Sequence, residues 1–240
     1  MCGGGYAPPV TDASCEVGYA PNQGIPRKYP LCLGRSQTFR TSDGKAAAAP
    51  TWADRQYESQ NMSKHLKWTD RSFQFTFPVE VYPEMIERLR GTPARLEDRL
   101  QSIAPEILTK RDGERWSIQE NAGHLLDLEP LVKQRLDEYL AGATALHPAD
   151  MSNRKTYEAD HNSRSMAAIL ADFRTQRIQL VNRLDNLALE TFAAVAHHPR
   201  LNVPMRLVDM IFFQAEHDDF HLARISELIR LFVGVKQAEQ

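Results

Sequence analysis

Two histidines, His217 and His221, stand four residues apart in a stretch whose apolar residues recur at helical spacing. Four residues is about one helical turn, so both imidazoles leave the helix on one face and can chelate one cation. The residue after His217 is Asp218, not the glutamate of a zincin protease, which argues against that chemistry. A third candidate is His124, beside Gly123, near the start of an earlier helical stretch. If the two helices face each other, three histidines meet and leave positions on a metal open, as catalytic sites do. Glu216, Asp218 and Asp219 crowd the histidine pair. They read either as solvated outer-face charge or as carboxylates that orient an imidazole; Glu216 and Asp218 are the candidates for a catalytic base. Asp127 and Glu129 admit the same two readings. His161 could line a pocket mouth, His65 lies at the domain edge, and His147 and His197-His198-Pro199 read as loop.

The elements that must position these residues begin after about residue 61. Residues 1–61 hold 7 of the 12 glycines and 6 of the 14 prolines, so a flexible N-terminal extension is expected, or a true start at Met62. Residues 62–240 form the predicted domain. Phe73–Phe77 alternates apolar and polar and predicts a short strand. A short helix over 83–90 should end at Gly91, and Thr92-Pro93 reads as the N-cap and first position of another, running to Ile103. Ser117 and Glu120 form a capping box for a helix to about Leu140, which Pro130 should kink or split and Gly142 should stop. Trp116 reads as a packing staple for its entry. A third helix runs from Met166, capped by Ser163 or Ser165, to about Leu187. The last starts at Pro204 and reaches about Phe232. On it, Met210, Gln214, His217, His221, Arg224 and Leu228 form one line. The economical architecture is an all-α four-helix bundle.

Composition narrows the function. All three cysteines lie at or before Cys32, so the predicted domain has no cysteine nucleophile, thiolate metal ligand or disulfide, which fits a reducing cytoplasm. A net charge of −2 argues against binding nucleic acid by bulk positive charge. No run approaches the roughly 18 apolar residues of a membrane span.

The segments Ala104–Leu108, Trp116–Glu120, His124–Glu129 and Ala215–His221, in this order and spacing, resemble the DinB-like superfamily, including the YfiT-like metal-dependent hydrolases. The resemblance covers about residues 70–232. It implies a four-helix bundle with a divalent metal, nickel or zinc, on His124, His217 and His221. It also implies a homodimer and a small-molecule substrate. Activity in such proteins is either hydrolysis or transfer of a low-molecular-weight thiol, which here would have to be a cosubstrate. Three readings stay open on the sequence: a metal-dependent enzyme, a metal-binding protein without turnover, and a bundle whose histidines are core residues. An open cavity over converging histidines would favour the first, a closed metal the second, and separate hydrogen-bond partners the third.

Overall fold

The computed structural model describes residues 66–236. The expected N-terminal extension, His65 and the question of a start at Met62 lie outside the described residues. The regular elements are α1 (Tyr82–Leu100), α2 (Pro105–Leu108), α3 (Ile118–Leu140), α4 (Arg154–Glu158), α5 (Met166–Asp185), β1 (Val195–His198), β2 (Val203–Arg206) and α6 (Leu207–Lys236). The four long helices form the bundle. α1 and α3 each pack against both α5 and α6, so α1 and α3 lie across the diagonal. None of the described helices is long and apolar enough to cross a membrane.

Several local expectations change. Gly91 and Pro93 do not break the first helix; α1 runs through both. A proline at 93 cannot bond the Leu89 carbonyl. That carbonyl instead accepts from Arg177 Nη1 at 3.2 Å, so the missing bond is replaced from α5. Pro130 faces solvent, and α3 continues through it. Phe73–Phe77 forms no strand, for no strand among the described residues pairs with it. Its alternation survives as half-buried phenylalanines against α6, with Phe73 and Phe213 rings 5.0 Å apart and Phe77 and Phe212 rings 5.2 Å apart. Pro204 belongs to β2, opposite His197, and α6 begins at Leu207. His197 and His198 therefore lie on a strand of a small antiparallel hairpin rather than in a loop.

Other readings hold. Ser117 Oγ accepts from the Glu120 amide at 3.0 Å while the Glu120 carboxylate accepts from the Ser117 amide at 2.8 Å, the capping box of α3. The line from Met210 to Leu228 is buried throughout.

The core is two apolar clusters separated by a polar layer. Leu89, Leu136, Leu180 and Ile211 belong to one cluster, and Leu96, Leu125, Phe173 and Ile225 to the other. Between them every long helix contributes a polar residue: Thr92, Glu129, Arg177 and Asp218, all buried. Arg177 donates to Glu129 Oε1 through Nε at 3.0 Å and Nη2 at 2.6 Å, and to both oxygens of Asp218. Asp218 also accepts from Gln214 Nε2 at 3.1 Å and from the Thr92 hydroxyl at 2.9 Å. This layer ties the four helices at one level and sets how far α6 is rotated about its axis.

Candidate metal centre

That rotation turns His217 and His221 toward α3, where His124 stands. One ring nitrogen from each of the three lies within 4.8 Å of the others, and all three residues are buried. The Nε2 atoms of His217 and His221 are 3.2 Å apart. Two nitrogens sharing a tetrahedral zinc at its usual bond length would be about 3.3 Å apart.

The surrounding hydrogen bonds fix which nitrogens are available. Asn121 Nδ2 donates to the Ser117 carbonyl at 2.7 Å, so its Oδ1 faces His221 Nδ1 at 2.8 Å. His221 must therefore carry its proton at Nδ1 and present a bare lone pair at Nε2. His124 Nδ1 lies 2.9 Å from the Thr156 hydroxyl. The nearby Asp127 carboxylate draws the proton of that hydroxyl, which leaves the oxygen to accept from His124 Nδ1, so His124 Nε2 is also a lone pair. His217 Nε2 then holds the proton shared with His221, and its Nδ1 is buried without a partner. Basic nitrogens pressed together in a buried site, with one proton among them, form a donor set that a divalent cation satisfies.

Burial disfavours protonation throughout the cluster. It pushes His124 down to about 4, with His161 adding to the effect and Asp127 opposing it. His217 and His221 lie well below the ordinary histidine range, by burial first and then by neighbouring histidines and, for His217, arginines. The imidazoles are neutral at neutral pH, the state in which they ligate.

Behind His124 is a supporting network. Asp127 Oδ2 accepts from His161 Nε2 at 2.8 Å. Burial alone would raise the Asp127 carboxyl, but His161, Thr156 and Lys155 hold it below its usual range. His161 is buried against α3 rather than at a pocket mouth, and Gly123 makes the room for it. A Cβ at Gly123 would fall 2.3 Å from the His161 ring. Asp127 thus takes the orienting role, directly for His161 and through Thr156 for His124.

The histidines open onto a cavity of about 330 Å³ lined by Trp68, Trp116, Leu131, Arg135, Arg200 and Phe213, among others. Trp116 is more than a staple; its ring lies 4.7 Å from that of His124. The structure does not bring Glu216 or Asp218 to this cavity. Glu216 accepts from Arg71 and from Arg88, the latter at 2.7 Å, and Asp218 belongs to the buried layer with Arg177. Residues that the sequence reading did not single out are Asn121, Thr156, Trp68, Arg135 and Arg200. No spacing or motif marks them, and only the fold gathers them.

The chain belongs to the DinB superfamily, whose family model matches residues 88–225. Among solved structures, YfiT from Bacillus subtilis, described as "a probable metal-dependent hydrolase with an unusual four-helix bundle topology", superposes with a TM-score of 0.60 at 22% identity. The match covers 68% of this chain and 93% of YfiT. The colibactin self-resistance protein ClbS, solved in complex with double-stranded DNA, matches at a TM-score of 0.49 and 18% identity, covering 62% of this chain and 95% of that one. No functionally curated protein matches significantly.

Proposed function

We propose that this protein is a metal-dependent enzyme acting on a small molecule, with a divalent cation such as nickel or zinc held by His124, His217 and His221. The observation that carries the reading is the convergence of the three imidazoles, two of them locked by Asn121 and Thr156 with Nε2 lone pairs presented. Such a cation lowers the pKa of a bound water or small-molecule thiol toward neutrality and so supplies a nucleophile. The cavity beside the histidines gives a reactant access, which favours turnover over storage or a purely structural role. Trp116, Trp68 and Phe213 provide apolar walls that strengthen electrostatic interactions within it.

With no cysteine after Cys32, thiol chemistry would need a low-molecular-weight thiol as cosubstrate. A water nucleophile would make the reaction a hydrolysis, in keeping with the description of YfiT. We assign Glu216 and Asp218 positioning roles in place of base catalysis, because their oxygens are held by arginines outside the cavity.

The test is elemental analysis of untagged protein beside a His217→Ala/His221→Ala variant. About one ion per chain in the wild type, lost in the variant, is expected. No metal in the wild type, even after reconstitution with nickel or zinc, would overturn the reading. Metal-loaded protein is then assayed for ester and amide hydrolysis and for thiol transfer.

A further inference from the structure

Three helical turns along α3 from His124, the same cavity is lined by groups that all donate and have little to donate to. Arg135 is 4% exposed. Its Nε donates to the His147 carbonyl at 3.0 Å, and its Nη1 has only the Met210 sulfur at 3.9 Å and His198 Nε2 at 3.4 Å. The sulfur is a weak acceptor. His198 is no acceptor at Nε2, because its Nδ1 already accepts the Leu201 amide at 3.2 Å, which places the ring proton on Nε2. Two N–H groups therefore stand side by side with no acceptor between them. Arg200 joins them on the cavity wall. Its guanidinium lies 5.6 Å from the Trp68 ring centre and 5.3 Å from that of Phe213, and its Nη2 is buried without a hydrogen-bond partner.

No carboxylate among the described residues forms a salt bridge with Arg135 or Arg200. The carboxylate whose field reaches Arg135 is Glu138, and its oxygens accept from the Gln134 side chain and the His147 amide. Asp150 also lines the cavity, but it accepts from Ser152 and from the Arg154 amide. Buried donors without acceptors are costly to keep, and guanidinium groups are suited to planar oxyanions.

We propose that Arg135, Arg200 and His198 form a binding site for the anionic end, a carboxylate or a phosphate, of the molecule that occupies the cavity. Leu128, Leu131, Val132 and Phe213 line the same cavity and give that molecule an apolar body. The histidine cluster is then left for its other end. That the bound acid is the substrate rests on the metal-enzyme reading; the anion site itself stands with or without the cation.

The test uses the full chain, with benzoate and phenyl phosphate as probes, followed by calorimetric titration and thermal shift. Both probes should bind the wild type, and the tighter of the two identifies the headgroup. Arg135→Met and Arg200→Gln should each weaken binding roughly ten- to hundredfold, the value of a charge-assisted hydrogen bond, with metal content unchanged. His217→Ala/His221→Ala should bind the probes as the wild type does. Should Arg135→Met fail to fold, Arg200→Gln decides alone. Binding unchanged by the arginine substitutions, binding lost only in the histidine variant, or no binding by the wild type would each overturn the proposal. The histidine variant separates the two readings, since loss of metal alone leaves the anion site in place.

Discussion

His217 and Asp218 are adjacent in sequence and both are buried, yet they enter two polar centres of opposite character. Asp218 is fully buried and accepts from Arg177, Gln214 and Thr92, while Arg177 also engages Glu129 and a backbone carbonyl. On the adjoining face of α6, His217 Nδ1 has no partner, and further along the cavity Arg135 and His198 point two donors at each other. A buried polar group normally finds its partner; in the first centre Glu129 Oε2 lacks one, but the Arg177 guanidinium and both Asp218 oxygens are bonded, so its buried charges balance one another and that centre builds the fold. The second is incomplete until something enters it. The contrast between Arg177 and Arg135, two buried guanidiniums in one bundle, separates scaffold from binding site.

The largest expected effect is on stability at acid pH, and it belongs to the incomplete centre. Burial first pushes His124 and His198 each down to about 4, against 6.5 in an unfolded chain; Asp127 opposes it at His124, while Arg135 and Arg200 add to it at His198. Above pH 6.5 both states are neutral and the contribution to stability is complete. As pH falls from 6.5 toward 4, the unfolded chain takes up protons that the folded one refuses. Metal-free protein should lose about 3 kcal/mol per histidine across that window. Glu129, raised first by burial and then by Asp218, opposes this in part, since a raised carboxyl favours the folded state as pH falls. Urea midpoints between pH 7.5 and 4.5 measure the slope; a flat profile would show that the histidines are not held neutral.

Removing the arginine of the charge-paired centre comes next. Arg177→Met leaves Glu129 and Asp218 buried without their cation and should cost about 3–5 kcal/mol in urea unfolding. Replacing all three members by apolar residues of similar volume should recover only part of that loss, because Gln214, Thr92 and the Leu89 carbonyl lose their partners with the triad. A small effect of Arg177→Met would mean that water reaches the layer, and the distinction between the centres would fall.

How much of this was legible differs by centre. The bundle, the α3 capping box and the pairing of His217 with His221 could be read because each rests on local spacing, whereas His124 joined the pair only through the family resemblance and an assumed facing of two helices. The charge-paired layer could not. Asp218 was open to a reading as outer-face charge because a one-stripe view of α6 gives it an outside. In the fold α6 packs against both α1 and α3, and Asp218 points between the helices to Thr92 and Arg177, so it is buried. Pro93 looked like a helix start because the donor that replaces its missing bond, Arg177, lies far along the chain. Arg135 and Arg200 carry no signal, because an arginine announces its charge and not its lack of a partner.

Smaller effects probe the support of the histidines. Gly123→Ala places a methyl group on the His161 ring and should cost about 1–3 kcal/mol as His161 is displaced from Asp127. Thr156→Val removes the hydroxyl between Asp127 and His124 at nearly constant volume. It should leave the fold intact and lower metal affinity about 10- to 100-fold, read by competition with a chromophoric chelator. Unchanged affinity would mean that packing alone, with Trp116 against the ring, orients His124.

The smallest expected change is the most telling for the comparison. Arg135→Met removes a buried guanidinium that no carboxylate balances, at the expense of one bond to the His147 carbonyl, and His147 is exposed enough for water to replace it. Stability should stay within about 1 kcal/mol of wild type or rise, since an unpaired buried charge opposes folding. Thermal midpoints of Arg135→Met and Arg177→Met, taken side by side in phosphate-free buffer, give the result directly. Equal losses would make both arginines structural. A loss confined to Arg177 would leave Arg135 as a residue the fold does not need, in a place where only a ligand explains its presence.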